Sequence, residues 1–106
     1  MFGRQVTLKL KANSATELNR IAVEETLPIL RNQKGFRDQT MLIAPERSEA
    51  IASSFWDTKA DADAYDRTAY AGVLKTLANV IDGTPTVKTF EFATSTSPQL
   101  AASKLV

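Results

Sequence analysis

Residues 36–57 read FRDQTMLIAPERSEAIASSFWD, and this stretch decides the fold. Its first part, Phe36 to Pro45, has a nearly continuous apolar centre, which predicts a strand that is covered on both faces. Its last part, Glu49 to Asp57, alternates with the period of two that is typical of a strand. Because only the turn-forming residues Pro45-Glu46-Arg47-Ser48 connect the two parts, we predict an antiparallel hairpin.

The chain before this hairpin predicts a strand followed by a helix. Arg4 to Lys11 alternates apolar and polar residues with a period of two. In residues 14–33 the apolar positions recur at helical spacing, and Ser14 and Glu17 stand in the order of a capping box. Pro28 lies inside this run, and we expect a kink or a break near it because proline has no amide hydrogen to donate.

The chain after the hairpin predicts a second helical region and a last strand. Thr58 is a good N-cap for a helix over residues 59–80, which Arg67-Thr68 can interrupt to give two shorter helices. Asp82-Gly83-Thr84-Pro85 is a stop signal. The last strand is predicted over residues 86–93, with its two phenylalanines on one face and Val87, Thr89 and Glu91 on the other.

The order of elements is therefore β-α-β-β-α-β, which predicts an α+β, ferredoxin-like sandwich. Its antiparallel sheet would have the order 4-1-3-2, with the helices on one face. We assign residues 1–93 to this single domain and residues 94–106 to a Ser/Thr-rich C-terminal tail. Lys9 and Glu91, on the neighbouring first and last strands, are expected to share the more polar face.

Apolar residues on both faces of the predicted second and third strands raise the question of what covers the face without helices. Ile51 and Phe55 point one way and Trp56 the other. A soluble monomer rarely exposes a large contiguous apolar patch. We therefore expect a homodimer that packs sheet against sheet, and a monomer with one moderately polar face is the alternative.

Composition excludes many kinds of chemistry. The 106 residues include no Cys and no His, so the chain has no thiol nucleophile, no Ser-His-Asp triad and no thiolate or imidazole metal ligand. We expect no metal and no cofactor. The formal net charge is +1, which gives no reason to expect nucleic acid or an anionic membrane as a partner. Without a membrane span or a signal-peptide core, a cytoplasmic protein is the expectation.

Two short motifs resemble a known family. They are Gly35-Phe36 before the second strand and Phe55-Trp56-Asp57-Thr58 at the end of the third, followed by a helix rich in Ala, Asp and Tyr. The chain resembles the antibiotic-biosynthesis monooxygenase-type (ABM) domains of the dimeric α/β-barrel superfamily. The resemblance implies a ferredoxin-like subunit, a homodimeric barrel, and a pocket between sheet and helices in each subunit.

Members of that family include cofactor-independent monooxygenases that act on polycyclic aromatics, and haem-degrading enzymes. The haem-degrading members use an Asn on the first strand and a His on the following helix, and this chain has neither. The quinone-forming members use polar pocket residues such as Asn, Tyr and Arg together with Trp. Here the third strand offers small residues and no Asn. Haem degradation in the family's manner is therefore not expected.

The candidate pocket-lining residues are Trp56, Tyr65, Tyr70, Ala52 and Ser54. Trp56 is either a flat wall for an aromatic ligand or simple core packing. Small side chains at positions 52 and 54, on the same strand face, leave volume beneath the helices. A phenol can donate a proton or hold a substrate oxygen, but Tyr65 can equally be a core residue bonded to the backbone. No catalytic residue is assigned.

Three functions stay open at this point. The first is a cofactor-independent, monooxygenase-like protein acting on a small aromatic or enolisable substrate. The second is a non-catalytic small-ligand-binding or structural homodimer of the same fold. The third is an RNA-recognition module, which shares the element order, but the third strand lacks that module's aromatic motif.

Overall fold

A computed structural model of the protein describes residues 1–96. Its elements are β1 (Phe2–Leu10), α1 (Ala15–Ile21), a π-helical segment (Ala22–Thr26), α2 (Leu27–Arg31), β2 (Phe36–Ile43), β3 (Glu49–Trp56), α3 (Lys59–Arg67), α4 (Tyr70–Leu77) and β4 (Ile81–Glu91). The four strands form one sheet in the order β2-β3-β1-β4, with every neighbouring pair antiparallel. This is the predicted α+β, ferredoxin-like fold with the predicted strand order.

The helices cover one face of the sheet, which we call the helix face. On it, Val6 of β1 lies opposite Ala52 of β3, and Leu8 lies opposite Ala50. Strand alternation puts every second residue on this face, so the apolar half of β1 is buried in the core. Trp56, Leu8 and Leu18 are the largest fully buried side chains among residues 1–96. The core therefore lies between β1 and β3 below and the helices above.

Pro28 lies in a continuous helical stretch whose type changes just before it. Residues 22–26 form a π-helical turn, and α2 then begins with proline in its first turn. A π turn has wider hydrogen-bond spacing, so the helix continues past a residue that cannot donate to the preceding turn. The hydroxyl of Thr26 also donates to the carbonyl of Ala22 over 3.1 Å. The expected disturbance is thus a local widening of the helix.

The predicted capping box at the start of α1 is wrong. Ser14 occupies the N-cap position, but its side chain makes no capping bond and its hydroxyl donates to the carbonyl of Ala12 over 3.4 Å. Glu17 pairs with Arg20 along the exposed helix surface. The carboxylate of Glu17 therefore bonds to the cation one turn away. This ion pair takes the place of the hydrogen bond to the N-cap amide that a capping box requires.

The second helical region follows the prediction. The hydroxyl of Thr58 accepts the amide hydrogen of Asp61 over 3.1 Å, which is an N-cap bond. The helix is interrupted between Arg67 and Tyr70, so α3 and α4 are separate. This break lets α4 change direction, and both helices contribute buried residues to the core.

The last strand begins earlier than predicted, at Ile81. The segment predicted as a stop signal is absorbed as an irregularity in the pairing of β4 with β1. The predicted proximity of Lys9 and Glu91 is also wrong. Lys9 lies opposite Asp82 at one end of β1, and Glu91 lies opposite Phe2 at the other. Since Phe2 is on the helix face and position 9 is not, the two side chains point to opposite faces.

The second face of the sheet, which we call the open face, is not covered by any element among residues 1–96. Leu42 is 64% exposed there and Phe90 is 49% exposed. The rings of Phe55 and Phe92 meet edge to face with centroids 6.0 Å apart. The predicted tail lies mostly outside the described residues. No helix within residues 1–96 is long and apolar enough to cross a membrane.

Candidate ligand site

A cavity lies between the helix face of the sheet and the overlying helices. Its volume is about 40 Å³, and the empty space around it, which includes open solvent at its mouth, is about 500 Å³. Its apolar lining residues are Val6, Leu8, Leu30, Met41, Ala52, Val73, Leu74 and Leu77. Its polar or aromatic lining residues are Arg4, Thr26, Gln39, Ser54, Tyr65 and Tyr70. Ligand sites are typically apolar with a few placed polar groups, and this lining has that character.

Arg4 is the charged side chain of this cavity, and it is only 4% exposed. It lies on the helix face because it alternates with Phe2 and Val6 along β1. Its Nη2 donates to Oδ1 of Asp66 over 2.6 Å. The guanidinium carbon is 4.0 Å from the centre of the Tyr70 ring and 5.3 Å from that of Tyr65, which places it in cation–π range of both.

An aromatic cluster supports this charged group. Tyr65 is stacked on Trp56 with ring centroids 5.1 Å apart, and Phe36 meets Trp56 edge to face at 5.5 Å. Tyr70 is tilted against Tyr65 at 5.9 Å. Burial raises the pKa of the Tyr65 phenol to about 12, and the charge of Arg4 opposes this only in part. Tyr65 is therefore a neutral phenol at physiological pH, able to donate a hydrogen bond and unable to act as a base.

The indole N–H of Trp56 already has a partner. Its Nε1 donates to Oγ of Ser54 over 2.9 Å, and the Ser54 hydroxyl donates to the backbone carbonyl of Arg4 over 3.4 Å. Trp56 is fully buried and is not among the residues that line the cavity. It holds Tyr65 and Ser54 in position from behind, and it offers no donor to a ligand.

The other residues singled out from the sequence come together at this cavity. Ala52 and Ser54 form part of its floor on β3, and Tyr65 and Tyr70 line it from α3 and the start of α4. Trp56 lies one layer deeper. Of the alternatives for Tyr65, no hydrogen bond from its hydroxyl to a backbone carbonyl is present within residues 1–96.

Sequence reasoning missed Arg4, Gln39 and Met41 as lining residues. Strand alternation could have identified Arg4, because every second residue of β1 is buried and Arg4 is one of them. The hairpin register could have identified Gln39 and Met41, since the four-residue turn at 45–48 determines which residues of β2 and β3 lie opposite each other. That register places Gln39 opposite Ser54 and Met41 opposite Ala52, on the helix face.

Within residues 1–96 no group of three or more acidic, His or Cys side chains converges in a way that could hold a metal ion. What the site offers is a cation, two phenols, an amide and two hydroxyls around an apolar space. Such groups can bind and orient a small molecule that has an oxygen function, and they can stabilise negative charge that develops on that oxygen.

No protein-family model matches the sequence, and no curated protein matches it. Several solved structures do match the fold. A monooxygenase from the gene ActVA-Orf6 of Streptomyces coelicolor, in complex with nanaomycin D, is 15% identical with a TM-score of 0.75, covering 92% of this chain and 91% of that chain. An antibiotic biosynthesis monooxygenase is 10% identical with a TM-score of 0.70, covering 89% of this chain and 100% of that chain.

A variant of MhuD with two manganese protoporphyrin IX molecules bound per active site is 17% identical with a TM-score of 0.72. The match covers 92% of this chain and 99% of that chain. At these identities the likeness concerns the backbone. The chain has the ferredoxin-like fold of the antibiotic biosynthesis monooxygenase proteins, as the sequence motifs indicated.

Proposed function

We propose that this protein is a cofactor-independent, monooxygenase-like protein that binds a small aromatic or enolisable substrate in the cavity under the helices. The observation that supports this best is the lining itself, in which Arg4 and the phenols of Tyr65 and Tyr70 adjoin an apolar space. A monooxygenase with the same fold, from Streptomyces coelicolor and in complex with nanaomycin D, also supports it.

The reaction would use the substrate as its own reductant. A CH₂ carbon next to a carbonyl or aromatic ring loses a proton to solvent water, and the resulting carbanion transfers electrons to O₂ and forms a C–O bond. The peroxide takes up a proton, and loss of the remaining C–H proton with hydroxide breaks the O–O bond. The balance is R₂CH₂ + O₂ → R₂C=O + H₂O, so the carbon is oxidised and dioxygen supplies both the new carbonyl oxygen and the oxygen of water.

The chain's own residues would contribute binding and electrostatic stabilisation. The guanidinium of Arg4, in the cavity wall, would stabilise the negative charge that an enolate oxygen gains, and such preorganised charge is worth more in a water-poor site. The protonated phenol of Tyr65 can donate to the same oxygen. The apolar residues exclude water that would otherwise solvate the carbanion. A ligand larger than the cavity's 40 Å³ would occupy the mouth as well.

Replacing Ala52 with Leu tests this function. Ala52 lines the cavity floor, and a leucine side chain there would fill the cavity. With anthrone as an enolisable probe, we expect the wild-type protein to consume one O₂ per anthraquinone formed, faster than the spontaneous reaction. The Ala52→Leu variant should show only the spontaneous rate. Ala71→Leu, at an exposed position of α4, is the matched control and should keep the activity.

The alternative is a non-catalytic ligand-binding protein of the same fold. Its signature would be a saturable change in the fluorescence of Trp56, the single tryptophan, without O₂ consumption. Trp56 reports on the cavity because it is stacked on the lining residue Tyr65. The oxygenase proposal is wrong if anthrone produces neither a fluorescence change nor O₂ uptake and Ala52→Leu lowers the free energy of unfolding. A loss of about 1–3 kcal/mol is typical of overpacking, and it would show that the region is already filled by core side chains.

We also propose that two copies of the chain associate through the open face of the sheet. Leu42, Ile51, Phe55 and Phe90 give this face an apolar character that is unusual for a surface in contact with water. Sheet-to-sheet packing would cover it on both copies at once. The cavity lies on the other side of the sheet, so the proposed dimer would not cover it.

A further inference from the structure

We propose that Arg4 selects the charge of the ligand: its guanidinium binds a carboxylate on a small aromatic molecule, and Asp66 is the partner that the ligand replaces. This inference rests on the proposed function, because it assigns the ligand class of the same cavity. It concerns one ion pair and one ring contact that join β1 to α3 and α4.

Burial of Arg4 is the first observation. A guanidinium that is 4% exposed has lost most of its hydration, and such a loss is costly unless partners replace the water. The neighbouring helix-face positions of β1, Phe2 and Val6, are apolar. An apolar side chain at position 4 would continue that pattern without this cost. The charge is therefore expected to serve an interaction beyond packing.

Incomplete hydrogen bonding is the second observation. A guanidinium carries five N–H donors in a plane. Among residues 1–96, the acceptor of the Arg4 side chain is Oδ1 of Asp66 at 2.6 Å. Arg4 is also part of the cavity wall, and it is the single charged residue among the described lining residues. A planar oxyanion in the cavity can take two of the remaining donors in the fork geometry that arginine and carboxylate share.

The tyrosine rings determine which part of the guanidinium is offered to a ligand. The guanidinium carbon lies over the Tyr70 ring at 4.0 Å, so this ring covers one face of the cation. The face of a guanidinium attracts aromatic rings, whereas its edge carries the N–H donors. With the face covered, the edge is what remains for an acceptor, which favours a planar acceptor over a spherical one.

Asp66 is suited to leave. It lies in the last turn of α3, and its side chain is 52% exposed, whereas Arg4 is buried. A half-exposed carboxylate keeps much of its hydration, so it can turn into water once another anion pairs with the buried guanidinium of Arg4. A ligand carboxylate inside the cavity would be less hydrated and would interact more strongly with the same cation. We therefore expect one carboxylate to replace the other.

A pair of small probes of similar shape tests the charge selection. Benzoate carries a planar carboxylate, and benzamide has the same outline without the charge. We expect wild-type protein to bind benzoate roughly 10- to 100-fold more tightly than benzamide in a calorimetric titration, the range for hydrogen bonds to a charged group. The net charge of the chain is only +1, so a long-range field does not account for such a preference.

Three variants locate the effect. Arg4→Gln should bind the two probes equally, while Arg67→Gln, an exposed arginine of α3 that loses the same charge, should keep the preference. Asp66→Asn should bind benzoate several-fold more tightly than wild type, because the competing carboxylate is gone. Circular dichroism checks that each variant is folded. If Arg4→Gln does not fold, the benzoate preference of the wild type and the affinity of Asp66→Asn for benzoate still test the selection by Arg4.

The outcomes separate this inference from the proposed function. Equal binding of both probes by wild type, or weaker benzoate binding by Asp66→Asn, overturns the selection by Arg4 and leaves the cavity as a ligand site. If neither probe binds at millimolar concentration and anthrone produces no signal, the proposed function fails together with the inference. If anthrone is turned over but benzoate is not preferred, only the inference fails.

Discussion

Tyr65 joins the packing of the core to the chemistry of the cavity, and its titration makes this measurable. Burial keeps its phenol protonated, with the pKa raised from 10.0 to about 12. As pH rises above 10, the unfolded chain loses this proton first, so the unfolded state is favoured. The stability contribution is thus fully present below pH 10 and is lost progressively as pH rises through 12.

We expect the free energy of unfolding to fall by about 2–3 kcal/mol through this one group between pH 10 and 12, from about 1.4 kcal/mol per unit of pKa. Urea denaturation at several pH values, compared between wild type and Tyr65→Phe, measures it. Tyr70→Phe is the control and should keep most of the Tyr65 contribution, because burial is the largest cause of the raised pKa and Tyr70 only adds to it. If wild type and Tyr65→Phe lose stability in parallel above pH 10, the burial assigned to this phenol is wrong.

At the scale of residues, local alternation was enough to orient side chains but not to pair them. The period of two in β1 places Arg4 with Val6 and Leu8, on the helix face. Nothing nearby in the sequence indicates that its carboxylate partner lies 62 positions away on α3. Trp56 shows the converse. Its inward direction followed from alternation, but its place behind the cavity depends on Ser54 and Tyr65 taking the positions in front.

At the scale of elements, the sequence predicted strands and helices correctly where the hydrophobic pattern was long, or where particular residues interrupt a helix or form a turn. The hairpin register follows from its turn, and the break near Arg67 separates α3 from α4 as predicted. The start of β4 was missed because Gly83 and Pro85 are typical of loops. In the structure, pairing with β1 resumes at Asp82 after an irregularity, so tertiary contacts outweigh the local preference.

The connection from α2 into β2 allows an element-scale prediction with two glycines. Gly35 has φ of +79°, and a Cβ built there would collide with the carboxylate of Asp61 on α3 and lie 2.7 Å from the Cβ of that residue. Gly72 lies in α4, and a Cβ there meets nothing within 4 Å. We expect Gly35→Ala to lower the free energy of unfolding by about 1–3 kcal/mol, from left-handed strain plus the clash.

Gly72→Ala is the matched substitution, and it should raise stability by about 0.5–1 kcal/mol because alanine favours the helix. Chemical denaturation of both variants beside wild type gives the two changes. Opposite signs are the expected result. Equal effects would mean that Gly35 is not held against α3, and that the approach of β2 to α3 is looser than described.

At the scale of the whole molecule, the sheet separates two functions that the fold has to serve. Its helix face holds the core and the cavity, while its open face carries Phe90, Phe55 and Leu42 into solvent in a single chain. Because side chains alternate between the two faces along each strand, the residues of both faces could be predicted from the sequence. The small side chains of Ala52 and Ser54 indicated a pocket, but its size and its full lining were not predictable, since they depend on how side chains from seven elements pack.

The proposed dimer is tested by charging the open face. We expect wild type to have a light-scattering mass of about twice 11.6 kDa at micromolar concentration. Phe90→Glu places a carboxylate on the edge strand β4, opposite Gly3, within the face that would be buried, where an unpaired charge is costly. This variant should be a folded monomer.

Val23→Glu is the control for that experiment. Val23 is 58% exposed, at least as much as Phe90, but it lies on the π-helical segment on the other side of the molecule. The substitution introduces the same charge at an exposed apolar position away from the open face. Val23→Glu should therefore stay dimeric. A monomeric wild type, or dissociation by both substitutions alike, would contradict association through the sheet. If Phe90→Glu is monomeric and keeps the benzoate preference, the cavity functions within one chain and the open face serves assembly alone.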